Sequence, residues 1–228
     1  MADVLVAQGV GVDYPTPAGA VTAIDDVTVS VPDEGITVFA GPSGSGKSTL
    51  LRVLALVERP TRGVVELGGE AVSGRSHREL RALRRKTIAL MFQSPLENLL
   101  PELTATQNVI AAAQSAGRKI DPGLLDVVGL TGMGDYRVPA LSGGQQQRLA
   151  LCCALAREPK VVLADEPTSQ LDDTSAGLVL ESLKVLVERG VPVAVASHDD
   201  RLTSLADRVV RMSSGRVDSG RVDSGRVA

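Results

Sequence analysis

The sequence predicts an α/β fold: a parallel sheet flanked by helices, with a helical segment inserted in its middle. Three observations predict it. Short apolar runs at 36–40, 161–164 and 191–197 have the length and composition of buried strands, since a strand covered on both faces reads as a continuous apolar stretch. Each run is followed by a helical stretch, the order expected of parallel strands joined by crossovers. From about residue 103 to 158 strand signals stop and helical ones take over, so an insert interrupts the alternation.

The elements follow in order. Val27, Val29 and Val31 alternate with Thr28 and Ser30, the period-two pattern of a half-buried strand. Asp33-Glu34-Gly35 turns the chain into the run at 36–40, which stops at Gly41, and a helix is expected from residue 47 to about 57. His77, set among charges with Arg75 and Arg78, reads as solvated surface, and a strand is expected at 88–92. Inside the insert, Thr104-Ala105-Thr106 starts one helix. Asp121-Pro122 reads as an N-cap followed by proline at the first helical position of a second, ending near Gly129. Ser142 opens a third that stops before Pro159. Strand 161–164, helix 174–189, strand 191–197, a short helix and strand 208–212 complete the core. The chain closes on near-copies of one pentapeptide, Ser214-Gly-Arg-Val-Asp218, Ser219-Gly-Arg-Val-Asp223 and Ser224-Gly-Arg-Val-Ala228. The first copy completes the core, giving a packed domain over 1–218 with a helical subdomain at about 96–158. Residues 219–228 are expected to be a low-complexity tail, too poor in apolar residues to pack.

Composition bounds the function. At 228 residues the chain is one domain or one core with a sub-lobe. A net charge of −3 gives no bulk case for a nucleic-acid partner. No run approaches the roughly 20 apolar residues of a membrane span. Met1-Ala2-Asp3-Val4 lacks the basic and apolar regions of a signal peptide, so the expected location is the cytoplasm unless something tethers the chain. Cys152 and Cys153 are adjacent and read as small buried fillers rather than a disulfide or a metal pair.

Three motifs carry chemistry. Gly41-Pro42-Ser43-Gly44-Ser45-Gly46-Lys47-Ser48, followed by Thr49, fits G-x-x-x-x-G-K-[ST] between a strand and a helix. There glycines let backbone N–H groups close on phosphates, lysine reaches the β/γ oxygens, and the final hydroxyl ligates Mg²⁺. Asp165-Glu166 ends a buried strand, where parallel-sheet ligands collect. Asp165 can hold Mg²⁺ directly or through water, and Glu166 is the better candidate for general base on an attacking water. Leu141-Ser142-Gly143-Gly144-Gln145 places a hydroxyl, bare backbone N–H groups and a helix N-terminus together, which suits an anion. Two phosphate-binding elements in one short chain suggest that each nucleotide is shared between two copies.

Together with Gln93, Ser169-Gln170-Leu171-Asp172 and His198, these motifs stand in an order that resembles the ATP-binding-cassette (ABC) ATPases, a resemblance covering residues from about 4 to 217. It implies a P-loop NTPase (RecA-like) core with an N-terminal antiparallel β subdomain and an inserted α-helical subdomain. It also implies ATP and Mg²⁺ as cofactors. Gln93 would sense the γ-phosphate and Mg²⁺ while touching a membrane partner. Ser142, Gly143, Gly144 and Gln145 would approach the ATP of the opposite copy, Asp172 would couple the two sites, and His198 would contact the γ-phosphate. Taken singly, Gln93 reads as a polar loop residue, Asp172 as a helix cap and His198 as a surface histidine beside Asp199; as an ordered series they favour the functional reading. Tyr14, before Pro15 in a chain with two Tyr, two Phe and no Trp, is read as the aromatic that stacks adenine, with a plain turn role as the alternative.

Residues 91–101 and 103–109, with Ala164-Asp165-Glu166-Pro167-Thr168, resemble the lipoprotein-release and macrolide-export branch. Cys152-Cys153 and Gln170 depart from it, at positions where alanine-arginine and glycine are commoner. The resemblance implies an ATP-hydrolysing subunit that dimerises around two Mg-ATP and drives a separate transmembrane permease, peripheral on the inner face of the cell membrane. Two alternatives stand beside it: a mechanotransmission ATPase that moves no substrate across the bilayer, and a soluble non-transport cassette ATPase.

Overall fold

The computed structural model describes residues 2–17 and 19–224, with residues 219–224 described by their backbone. The chain opens on a long hairpin, β1 (Asp3–Thr16) and β2 (Gly19–Pro32), and continues into β3 (Ile36–Ala40) and helix α1 (Lys47–Leu54). Strands β4 (Arg62–Leu67) and β5 (Glu70–Ala71), helix α2 (His77–Thr87) and strand β6 (Ile88–Met91) come next. The insert holds α3 (Ala105–Ser115), α4 (Leu124–Val127), α5 (Gly143–Leu155) and short 3₁₀ turns at Pro95–Glu97 and Val138–Ala140. Then follow β7 (Val161–Asp165), α6 (Asp173–Glu188), β8 (Val193–Ser197), α7 (Asp200–Leu205), β9 (Arg208–Ser213) and β10 (Arg216–Ser224).

Two sheets result. One is antiparallel in the order β2-β1-β4-β5; the other runs β10-β9-β3-β8-β7-β6 and is parallel except where β10 meets β9. Every residue of β3, β7 and β8 is buried, which is why those strands read as apolar runs. In the antiparallel sheet Val29 and Val31 sit opposite Ala7 and Leu5, forming one apolar face. Helix α1 buries Leu50, Leu51, Val53 and Leu54 between this face and the parallel sheet. A second core joins α3, α5 and α6 to the other face of the parallel sheet. Because β3, β7, β8 and β6 run parallel, Gly41, Glu166, His198 and Gln93 all emerge at one edge.

The insert departs from expectation at one helix. Asp121 does not cap it: its carboxylate accepts from the Gly123 N–H at 2.9 Å, a local turn, and α4 is only Leu124–Val127. Helix α1 also ends earlier than expected, at Leu54, because Leu56 takes φ +58° and turns the chain. The C-terminal boundary moves the other way. Strand β10 runs past residue 218, with Val222, Asp223 and Ser224 opposite Val210, Val209 and Arg208, so the tail starts later than the repeat suggests; residues 225–228 lie outside the described residues. Deleting residues 219–228 removes this ladder from the edge of β9. The expected result is a fall in Tm of about 2–4 °C, the size of a loss near 1 kcal/mol in a chain this long, with ATPase activity nearly unchanged. An unchanged Tm in a thermal melt would show that residues 222–224 contribute nothing to the edge.

Candidate functional site

The loop between β3 and α1 is a backbone cradle. Gly46 stands at φ +95°, and a Cβ there would lie 2.7 Å from the Ala23 carbonyl oxygen; one at Gly41 would lie 2.2 Å from that of Met212. Only glycine tolerates such approach. The Ser45 hydroxyl is buried without a hydrogen-bond partner among the described residues. An orphaned donor is costly unless a ligand meets it, and a phosphate oxygen would.

Lys47, 4% exposed, donates its Nζ protons to the carbonyls of Gly41 and Pro42 at 2.7 and 2.9 Å and stands 3.9 Å from Glu166 Oε1. Ser48 Oγ donates to Asp165 Oδ1 at 2.8 Å. Burial raises the Asp165 pKa, opposed first by that hydrogen bond. This hydroxyl and carboxylate form a hard-oxygen pair of the kind Mg²⁺ takes alongside phosphate and water. Among the described residues no cluster of three or more His, Cys, Asp or Glu could hold a metal by itself.

Glu166 is held tightly. Its backbone lies at φ +47°, a strained region for a residue with a side chain. Its N–H donates to the Ala196 carbonyl at 2.9 Å, and its own carbonyl accepts from Ser169 Oγ at 2.8 Å. The carboxylate accepts from Ser197 Oγ at 3.1 Å and lies 2.9 Å from His198 Nδ1. Gln93 donates to Ser169 Oγ at 3.4 Å, so the loop after β6 meets the loop after β7. These groups face a cleft of about 620 Å³ lined by residues 43–49 with Gln93, Glu166 and His198.

Tyr14 stands on β1 opposite Val21, which lines the cleft rim. Burial and a hydrogen bond to Glu58 raise its phenol pKa, and Thr49 of the helix after the cradle pulls it down. An exposed aromatic beside Val21, 56% exposed, leaves a flat apolar rim suited to a purine.

The remaining sequence-predicted residues lie outside the cleft. Ser142 caps α5: its Oγ accepts from the Gln145 N–H at 3.3 Å, and Gln145 Oε1 accepts from the Ser142 N–H at 2.8 Å. Ser142 and Gly143 are exposed. Gly144 is buried, and a Cβ there would come 2.8 Å from that of Ser175, so this glycine also has a packing reason. Asp172 caps α6, accepting from Ser175 N and Oγ at 2.9 and 2.8 Å.

Some site residues escaped the sequence reading. Ser197 is fully buried and ties Glu166 to Asp199, whose N–H donates to Ser197 Oγ at 3.0 Å. Asp199 accepts from Thr168 Oγ1 at 2.8 Å, and the Arg201 guanidinium holds its carboxyl down at about 2. Ser197 ends the third apolar run directly before His198, and the rule that parallel-sheet ligands gather at strand ends would have marked it.

The family model described as ABC transporter matches residues 24–169, more than half of the chain. The chain belongs to this family. Its relatives include the lipoprotein-releasing system ATP-binding protein LolD of Ruegeria pomeroyi, 38% identical over 206 residues, 87% of this chain and 90% of that protein. The macrolide export ATP-binding/permease protein MacB 1/2 of Paracoccus denitrificans is 38% identical over 216 residues, 92% of this chain but 32% of that protein. Among solved structures, the dimeric bacterial ABC transporter cassette MJ0796 superposes with a TM-score of 0.86 at 30% identity, covering 98% of this chain and all of that one. A second structure of MJ0796, a dimeric post-hydrolysis state bound to ADP and Pi, gives 0.85 at 29% identity over the same share of both. The cassette is thus an ATP-binding ATPase with the P-loop core, antiparallel subdomain and relationship to the LolD and MacB branch that its motifs imply. At Gln170, one of the departures from the resemblance noted in the sequence, the backbone takes φ +65°, a conformation glycine enters without strain.

Proposed function

We propose that two copies of this cassette close around two Mg-ATP and that closure and reopening drive a separate transmembrane permease. One observation carries the reading. Lys47, Ser48, Glu166, Gln93 and His198 line one cleft, with Asp165 accepting a hydrogen bond from Ser48 behind it, whereas Ser142 and Gly143 are exposed and do not line it. A cleft with one phosphate-binding element, and a second such element turned outward, are two half-sites that a second copy completes.

The cradle N–H groups and Lys47 bind the β/γ-phosphates, and Tyr14 stacks the adenine. Ser48 and Asp165 would hold Mg²⁺, which when bound neutralises charge developing on the phosphate oxygens. Glu166, aimed by Ser197 and His198, orients the attacking water and accepts its proton. The partner's Ser142 and Gly143 would supply a hydroxyl and a free N–H from the far side, at the positive end of α5. Asp172, at the α6 cap packed against Gly144, would pass the state of one site to the other.

Coupling to the permease runs through Gln93, two residues beyond Met91. Met91 lines a groove of about 230 Å³ between β6 and the helical insert, with Leu90, Leu100, Ala111, Cys153 and Arg157. Its apolar floor suits a short helix from the permease. No helix among the described residues is long and apolar enough to cross a membrane; the permease would supply the spanning part, with the cassette at its cytoplasmic side. Gln93→Ala is expected to keep nucleotide affinity within about twofold, because Gln93 makes one long hydrogen bond to Ser169 and none to the cradle. Stimulation of ATPase activity by the reconstituted permease should fall several-fold. Equal stimulation of variant and parent in that assay rejects the coupling role.

A further inference from the structure

Helix α2 carries a basic stripe without counter-charge. Leu80 is buried and Leu83 half-buried, which sets the inward side of the helix. At about 100° per residue, Arg78, Arg81 and Arg85 fall within an arc of about 60° on the opposite side, with Lys86 next to it. All four are exposed, and none has a carboxylate within ion-pair distance among the described residues. Elsewhere on the surface Arg62, Arg75, Arg118, Arg189 and Arg201 each pair with an acid. The one acid of α2, Glu79, is occupied by the N–H and hydroxyl of Ser76 in the capping box. The cations crowd one another: burial lowers the Arg84 pKa first, and the Arg81 charge adds to it.

The helix presents this stripe in a fixed orientation. The capping box closes its N-terminus, and Arg157 donates to the carbonyls of Arg84, Arg85 and Ile88 at its C-terminus. Arg157 also lines the groove assigned to the permease, so the C-terminal end of α2 lies beside that groove.

We propose that the outward face of α2 binds the anionic phosphates of a bilayer and orients the cassette beneath the membrane. The face has charge but little apolar surface to anchor a protein partner, since Ala82 is the one apolar residue between the cations of the stripe. A lipid surface needs only the charge, with each arginine or lysine near it adding to the attraction. The arrangement therefore predicts adsorption without insertion, and sensitivity to salt. The proposal depends on the groove reading only for the direction α2 faces.

The test uses the full chain without any partner, sedimented with vesicles of phosphatidylglycerol and phosphatidylcholine or of phosphatidylcholine alone. Wild type should bind the anionic vesicles and be released by high salt. Arg78→Gln/Arg81→Gln/Arg85→Gln should bind at least about tenfold more weakly, while keeping its ATPase rate and circular dichroism. The matched control Arg118→Gln/Lys184→Gln/Arg189→Gln, with the same change in net charge, should bind like wild type, and the triple lysine variant at 78, 81 and 85 should retain binding. Wild type that prefers neither vesicle overturns the proposal, as does equal loss in stripe and control variants. Absent vesicle binding, combined with loss of a co-purifying membrane protein in detergent by the stripe variant, also overturns it and gives the face to an acidic protein segment. Because vesicle binding needs no permease, its outcome and that of the Gln93 experiment are independent.

Discussion

Replacing Glu166 with glutamine is expected to slow ATP hydrolysis by about 10²–10⁴-fold, the usual worth of a general base, and to leave Mg-ATP binding intact. The shape of the side chain is kept, and so are its neighbours Ser197 and His198, whose groups can hydrogen-bond an amide as well as a carboxylate. Lys47, Ser48 and Asp165 are untouched. What disappears is the negative charge 3.9 Å from the Lys47 ammonium and the acceptor for a water proton. That charge would also stand near the γ-phosphate, so its removal relieves repulsion against closure. Slow turnover with intact binding should trap a pair of copies around ATP. The variant should therefore elute from a sizing column as a dimer with ATP and as a monomer with ADP, while phosphate release gives the rate. Asp165→Asn should instead weaken the Mg²⁺ site and leave no trapped dimer. A Glu166→Gln protein hydrolysing ATP at the parent rate rejects Glu166 as the base, and one that stays monomeric in saturating Mg-ATP counts against the shared site.

The strands that position Glu166 were legible for a physical reason. β3, β7 and β8 are covered on both faces, so burial wrote itself into the sequence as unbroken apolar runs. β1 was hidden because its pattern is interrupted: Gly9 takes φ +58°, and the register with β2 shifts between Ala7 and Val10 and again before Val12 and Asp13. Such bulges break the alternation that marks a strand. β4 was hidden for the opposite reason, since of its residues only Val65 is buried. Helix α2 offers almost no apolar period, yet its Ser76-x-x-Glu79 box was readable and would have placed its start. The insert shows the limit of local signals. Thr104 and Ser142 both form the capping boxes their sequences suggest, but Asp121-Pro122, with the same apparent credentials, spends its carboxylate on Gly123 instead.

The site divides along similar lines. Residues contiguous in sequence could be proposed because phosphate binding needs a contiguous loop. Ser197, Thr168 and Asp199 were missed because they act through contacts between strand ends that only the folded sheet creates. Ser214 and Gly215, in the first pentapeptide, the copy expected to complete the core, close the rim of the cleft, and the Gly215 N–H donates to the Ser45 carbonyl at 3.1 Å. Beyond completing the core, the first repeat thus supports the loop at 41–48, a contact that only the folded chain creates.

Lys47→Ala is expected to abolish measurable hydrolysis and to weaken ATP binding by about tenfold to a hundredfold. Charge-assisted hydrogen bonds are worth about 1.5–3 kcal/mol each, and the lysine charge is the one proposed to reach the β/γ oxygens. The structure adds a second consequence. With Lys47 nearly buried and donating to the carbonyls of Gly41 and Pro42, its removal also strips two acceptors of their partner, so the cradle itself loses support. Lys47→Arg separates the two effects. It keeps a cation and donors for those carbonyls, but a planar fork replaces a point charge in a loop shaped around an ammonium. If the charge matters chiefly for turnover, the arginine variant should bind ATP more tightly than the alanine variant and still fail to hydrolyse it. Titration calorimetry with ATP and ADP reads the affinities, and circular dichroism checks the fold. An alanine variant that binds and hydrolyses ATP like the parent removes Lys47 from the phosphate site. One that loses ADP affinity as severely as ATP affinity places the role of Lys47 at the β-phosphate and in the loop, rather than at the γ-phosphate.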